Sequence, residues 1–94
     1  MPAPGYIYSA QSASILILNG PGELVGIFVS SSTAGTLKAW DNIAGSGTVI
    51  FATTGAITAP VWLPCPAHFG RAAGGGLFIT VGGTISYTVI YRLT

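Results

Sequence analysis

Cys65 and His68 are the two residues whose chemistry stands out, because a thiol three positions from an imidazole is a pattern that can supply a nucleophile and its base. Such a pair also requires an orienting acid and donors for an oxyanion. The chain has two carboxylates, Glu23 and Asp41, neither near Cys65 or His68 in sequence. The simpler reading of Cys65 is a small buried apolar residue. As the lone cysteine it forms no internal disulfide, so the fold does not depend on an oxidising compartment. Cys65, His68, Asp41 and Glu23 follow no metal-ligand spacing. His68 reads as a hydrogen-bonded loop residue, with a ring of His68 side chains around a threefold axis as the alternative. The glycine-rich stretch 70–76 lacks both the Lys-Ser/Thr ending and the following helix of a phosphate loop. It reads as a mobile connection in which Arg71 reaches a neighbour's carboxylate or carbonyls. Asp41 and Asn42 read as turn residues. No catalytic residue, cofactor or metal site is assigned.

The aromatic residues and the charges point elsewhere. Half of the 94 residues are apolar, whereas only five carry charge: Glu23, Lys38, Asp41, Arg71 and Arg92. A typical soluble domain carries charge on about a quarter of its residues. Five charges cannot coat a surface, so much of that surface is expected to be covered by other protein. Interface centres are poor in charge and rich in aromatic residues and arginine. Tyr6, Tyr8, Phe28, Trp40, Trp62, Arg71 and Phe78 are therefore the candidate interface residues. A net charge of +1 provides no basic footprint for direct nucleic-acid contact. The uncharged stretch 42–70 is interrupted by Pro60, Pro64, Pro66 and several glycines, which excludes a membrane-spanning helix there. The chain is also too short for a membrane β-barrel. Residues 1–19 show no basic segment followed by a long apolar run, so no signal peptide is expected and the protein is expected to be made in the cytoplasm.

The elements that must position these residues are strands. No window sustains helical spacing, and short runs of Val, Ile, Thr and aromatic residues lie between glycines and prolines. Candidate strands cover 6–9, 14–18, 24–31, 36–40, 48–52, 61–63, 77–81 and 85–93. Three of them start after a Gly-Thr pair, at Thr36, Thr48 and Thr84, where glycine permits the turn and threonine favours extension. Gly82-Gly83 between two runs predicts a hairpin. Alternation places Ile85, Tyr87, Val89 and Tyr91 on the core face with Leu77, Ile79, Val81, Val25, Ile27 and Val29, and turns Phe28 and Phe78 outward. Pro60, Pro64 and Pro66 make their segment an edge strand leading into a rigid loop. The expectation is one all-β domain over 1–94, a small antiparallel β-sandwich of jelly-roll type with seven or eight short strands, and residues 1–12 as an extended arm contacting a neighbour.

The ordered series 22–30 (GELVGIFVS), 35–41 (GTLKAWD), 47–51 (GTVIF), Leu63-Pro64 with Phe69-Gly70, 76–81 (GLFITV) and 83–91 (GTISYTVIY) resembles small virion structural proteins of tailed bacteriophages. It is most similar to their capsid decoration (cement) or head-fibre-type proteins. The connection at residues 71–75 is longer than usual for them. The resemblance implies a β-sandwich or jelly roll, commonly a homotrimer, on the capsid exterior, where it holds neighbouring major capsid protein subunits together. It implies synthesis in the host cytoplasm and no catalytic residue. Two other readings fit the same residues: a spike, fibre-base or tail component, and a carbohydrate-binding module using Trp40 or Trp62 as a platform. An enzyme built on Cys65 and His68 is the remaining alternative.

Overall fold

A computed structural model describes residues 6–53 and 55–93. The chain forms six strands: β1 (Ile7–Gln11), β2 (Ile15–Asn19), β3 (Gly22–Asp41), β4 (Thr48–Ala52), β5 (Val61–Phe69) and β6 (Gly76–Leu93). They make one all-antiparallel sheet with no helix among the described residues. Its centre is the pair β3 and β6, which stay partnered from Gly22↔Leu93 to Trp40↔Phe78 with register shifts at Leu24/Gly26, Val29/Ser31 and Thr33/Thr36. β1 and β2 lie one after the other along the free side of β6, opposite 87–91 and 76–79. β4 and β5 lie likewise along β3, opposite 38–41 and 22–29.

Side-chain hydrogen bonds and backbone bonds bridge the gaps in both flanks. The Tyr87 hydroxyl donates to the Ala13 carbonyl at 2.6 Å, and the Val81 N–H donates to Ser14 Oγ at 3.0 Å. On the other flank the N–H groups of Thr53 and Ile57 donate to the carbonyls of Leu37 and Gly35, at 3.0 and 2.8 Å.

Alternation decides which face is buried. Ile85, Tyr87, Val89 and Tyr91 pack with Leu77, Ile79, Leu24, Ile27, Val29, Leu37, Ala39 and Phe69 into one core, drawn from both ends of the two long strands. Val61, Leu63 and Cys65 of β5 pack against it. Phe28 and Phe78 point away from that core, as alternation requires, since their neighbours Ile27, Val29, Leu77 and Ile79 are buried.

The strand assignments need correction where glycine lies inside a long strand. Gly82-Gly83 does not make a hairpin: residues 77–81 and 85–91 are successive parts of β6, and both pair with β3. Likewise 24–31 and 36–40 are parts of β3, so Thr36 and Thr84 lie within strands and only Thr48 begins one. The cause is a shared bend. Ala34 and Gly83 adopt positive φ, +53° and +69°, close to where the register shifts between Thr33 and Thr36. Two matched left-handed residues turn both strands together and leave them paired. Val25 is also displaced from the core set. A bulge between Leu24 and Gly26 buries Leu24 beside Ile27 and leaves Val25 half-buried. Finally, Pro64 and Pro66 do not end the edge strand, because β5 continues to Phe69. Pro64 pairs with Gly26, and the register shift between Leu24 and Gly26 sets Cys65 and Pro66 against one residue of β3, so the strand carries its prolines at a bulge on an outer edge, where a missing donor is tolerated.

The bend yields a stability test. A Cβ on Gly83 collides with the carbonyl oxygen of Ala34, and the positive φ disfavours any L side chain there. Gly83→Ala is expected to cost about 2 kcal/mol or more in urea unfolding, whereas Ala34→Gly relieves a strained φ and is expected to be neutral or stabilising by up to about 1 kcal/mol. Equal midpoints for wild type and Gly83→Ala would show that this contact does not hold the bend.

Candidate interaction face

β5 settles the Cys65 and His68 pair. Residues three apart in a strand project to opposite faces. Cys65 turns towards the core and His68 is exposed, so the side chains are not brought together. Burial pushes the Cys65 thiol up to about 11, and its Sγ lies 3.5 Å from the Leu63 carbonyl oxygen. A thiol held protonated in this way is a poor nucleophile at neutral pH. Among the described residues no three His, Cys, Asp or Glu side chains come close enough to hold a metal.

The interface candidates separate into two groups. Trp40 and Phe78 face each other across β3 and β6, half-buried on the outer side. Their exposure is limited from above. The Lys38 ammonium sits 5.0 Å from the Trp40 ring centroid, and the Trp40 indole N–H donates to Thr80 Oγ1 at 3.0 Å. The loop 42–47 folds over the same side, bringing Gly45 against Thr80 and Phe78. Within that loop the Asn42 side-chain amide donates to the Ser46 carbonyl at 2.8 Å.

The second group lies on the outer face of β1, β6, β3 and β5. Phe28 pairs with Trp62 on one side and Thr88 on the other, and Tyr8 pairs with Ile90 in the next row. Tyr8 is 76% exposed, Trp62 42% and Phe28 39%. Gly26 makes this arrangement possible. A methyl group on it would lie 2.5 Å from the Trp62 ring, so the indole rests on bare backbone and turns its other side to solvent. One end of the face is polar, where Glu23 and Arg92 form an ion pair beside exposed His68. Arg92 also lies over the Tyr6 ring, 5.7 Å from its centroid. The apolar centre between Tyr8 and Trp62 carries no formal charge.

Arg71 is separate from both groups, exposed in the connection between β5 and β6. That connection is tied at its ends: the Gly70 N–H donates to Asp41 Oδ1 at 2.8 Å, and the Gly75 N–H donates to the Ala72 carbonyl at 3.0 Å. Asp41 thus ends β3 and fixes a distant loop as well as beginning a turn. Of the segment read as an arm, Ile7–Gln11 forms β1 and pairs with β6 of its own chain, while residues 1–5 lie outside the described residues. Alternation places Gly26 and Ile90 on the outer face, but sequence reasoning did not single out Gly26, Ile90 or Pro64 as parts of the interaction face. The available signal was Gly26, a glycine in a strand interior opposite a proline-rich edge.

No protein-family model, no curated protein and no solved structure matches the chain.

Burial of Cys65 and Tyr87 sets an alkaline limit on stability. Desolvation raises the thiol from 9.0 to about 11 and the Tyr87 phenol from 10.0 to about 12. The folded protein therefore binds more protons than the unfolded chain from about pH 9 to pH 12, and stability falls as pH rises through that window. Below pH 8 these groups contribute no pH dependence. Urea unfolding at stepped pH is expected to show this fall, and Cys65→Ala is expected to remove the part that begins near pH 9. A flat profile to pH 12 would contradict the burial of both groups.

Proposed function

We propose that the chain is a non-enzymatic structural protein of a tailed-phage particle, bound to the capsid exterior as a decoration or cement protein. The observation that carries this reading is the exposed, uncharged face around Tyr8, Phe28 and Trp62, on a chain with only five charges. Large amphipathic aromatic side chains held on a rigid sheet anchor protein interfaces at small entropic cost. The sequence resemblance gives the face its partner: major capsid protein and further copies of this chain.

Strand order supports a jelly roll. One half of the ladder reads β1-β6-β3-β5 and the other β2-β6-β3-β4. The runs β1–β2, β3, β4–β5 and β6 each cross from one half to the other, which is the connectivity of eight short strands in two four-stranded layers. A shared core and a Cα envelope 17 Å thick are compatible with two layers about 10 Å apart. Jelly rolls recur in capsid and lectin domains, so the architecture fits the proposal without choosing the partner. Mechanically, each copy clamps neighbouring capsid subunits and stabilises the lattice by mass action. The open side of the Trp62 indole also suits stacking against a sugar ring, and glycan-array binding by the purified protein would favour that second reading.

Particles lacking the protein can be titrated with wild type, Trp62→Ala and Phe28→Ala, with urea unfolding of each variant in parallel. Each substitution is expected to weaken binding by about 2 kcal/mol, roughly thirtyfold, and to leave folding less affected because both side chains are partly exposed. Unchanged particle binding by both variants would remove this face from the interface, and no binding by wild type would overturn the capsid assignment.

A further inference from the structure

The outer strands differ in how their free edges are guarded. β2, β4 and β5 all pair through an irregular register, with shifts at Leu16/Leu18, Ala39/Trp40 and Leu24/Gly26. β5 also contains Pro64 and Pro66. Among the described residues β1 is the exception. Its five pairs with β6 run from Ile7↔Tyr91 to Gln11↔Tyr87 without a shift, and the strand IYSAQ contains neither proline nor charge. Bulges, prolines and charges are the means by which sheets prevent strand addition at an edge. β1 lacks all three, and its exposed side chains Ile7 and Tyr8 project to both faces of the strand.

We propose that β1 pairs antiparallel with β1 of a second copy, about a two-fold axis through Ser9. Self-pairing about that centre sets Ser9 against Ser9, Ile7 against Gln11, and Tyr8 against Ala10 twice. Each exposed tyrosine meets a methyl group on the outer face, a large-to-small fit that one residue of register shift destroys. Identical segments repel wherever like charges meet, and β1 has none. The neighbouring cation, Arg92, is already paired with Glu23. The chemistry of the edge therefore suits a copy of itself. The two-fold axis is perpendicular to the sheet, so the Phe28 and Trp62 faces of both copies point the same way and form one bivalent surface. This pairing is independent of the capsid assignment, and it joins copies in twos, unlike the trimer that the resemblance implies.

Sedimentation of the full chain at micromolar concentrations tests the proposal, and the expected mass is twice that of one chain. Tyr8→Lys combined with Ala10→Lys sets ammonium against ammonium at two places, and is expected to raise the dissociation constant about tenfold or more. Both positions are exposed, so circular dichroism of this variant is expected to match wild type. Tyr8→Lys combined with Ala10→Glu sets opposite charges at the same places and is expected to restore the dimer. A wild-type monomer, a trimer, a dimer indifferent to the paired lysines, or a failure of the Lys/Glu variant to recover would each overturn the proposal.

Discussion

β3 and β6 pair along nearly their whole length, and every other strand joins the sheet through one of these two. Their common bend is the constraint on which the rest depends. A strand of 20 residues paired with one of 18 would, if straight, give a long ribbon with two open faces and no enclosed core. The left-handed backbone at Ala34 and Gly83 turns both strands at the same level. Leu24, Ile27 and Val29 from before the bend in β3 can then share one core with Leu37 and Ala39 from after it. The flanking strands repeat the pattern in broken form. Ala13 and Ser14 span the gap between β1 and β2, and Thr53 and Ile57 span that between β4 and β5.

This bend also explains which parts of the fold were legible in the sequence. Period-two alternation identifies Ile85, Tyr87, Val89 and Tyr91 as core, because nothing interrupts the phase of β6 there. Alternation fails at Val25, where a bulge shifts the phase of β3 and substitutes Leu24. Glycine was the misleading signal. A Gly-Gly pair between two apolar runs describes a hairpin equally well as a bend shared by two long strands. The two differ only in which partner lies alongside, and that partner, the Ala34-Gly35 bend of β3, is about fifty residues away in sequence. Proline gave half of the answer at β5. It marks the edge correctly, but a strand can pass through Pro64 and Pro66 where a bulge on an outer edge takes up the missing donor.

The candidate face was legible as a composition and not as a place. Aromatic surplus and charge deficit selected seven residues, and the structure distributes them unequally. Trp40 is as large and apolar as Trp62, yet Lys38, Thr80 and the loop 42–47 enclose its surroundings. Trp62 has no such cover because it lies on an outer strand, facing Gly26. A tryptophan over a glycine buries one side of its ring and leaves the other free, which needs the cross-strand pairing to be known.

Low charge then acquires a structural meaning. Proteins stay apart through mixed surface charge or through the shape of their sheet edges, and this chain has little of the first. The ion pair of Glu23 with Arg92, the contact of Lys38 with Trp40 and the bond from Gly70 to Asp41 employ four of its five charged residues in internal contacts. What separates this molecule from its neighbours is thus carried mainly by backbone: bulges on three outer strands and prolines on one of them. A surface controlled in that way is selective by geometry. It blocks strand addition where the register is broken and leaves association open at β1, where the register is regular, and on the face of Tyr8, Phe28 and Trp62, where flat aromatic side chains stand on a rigid sheet.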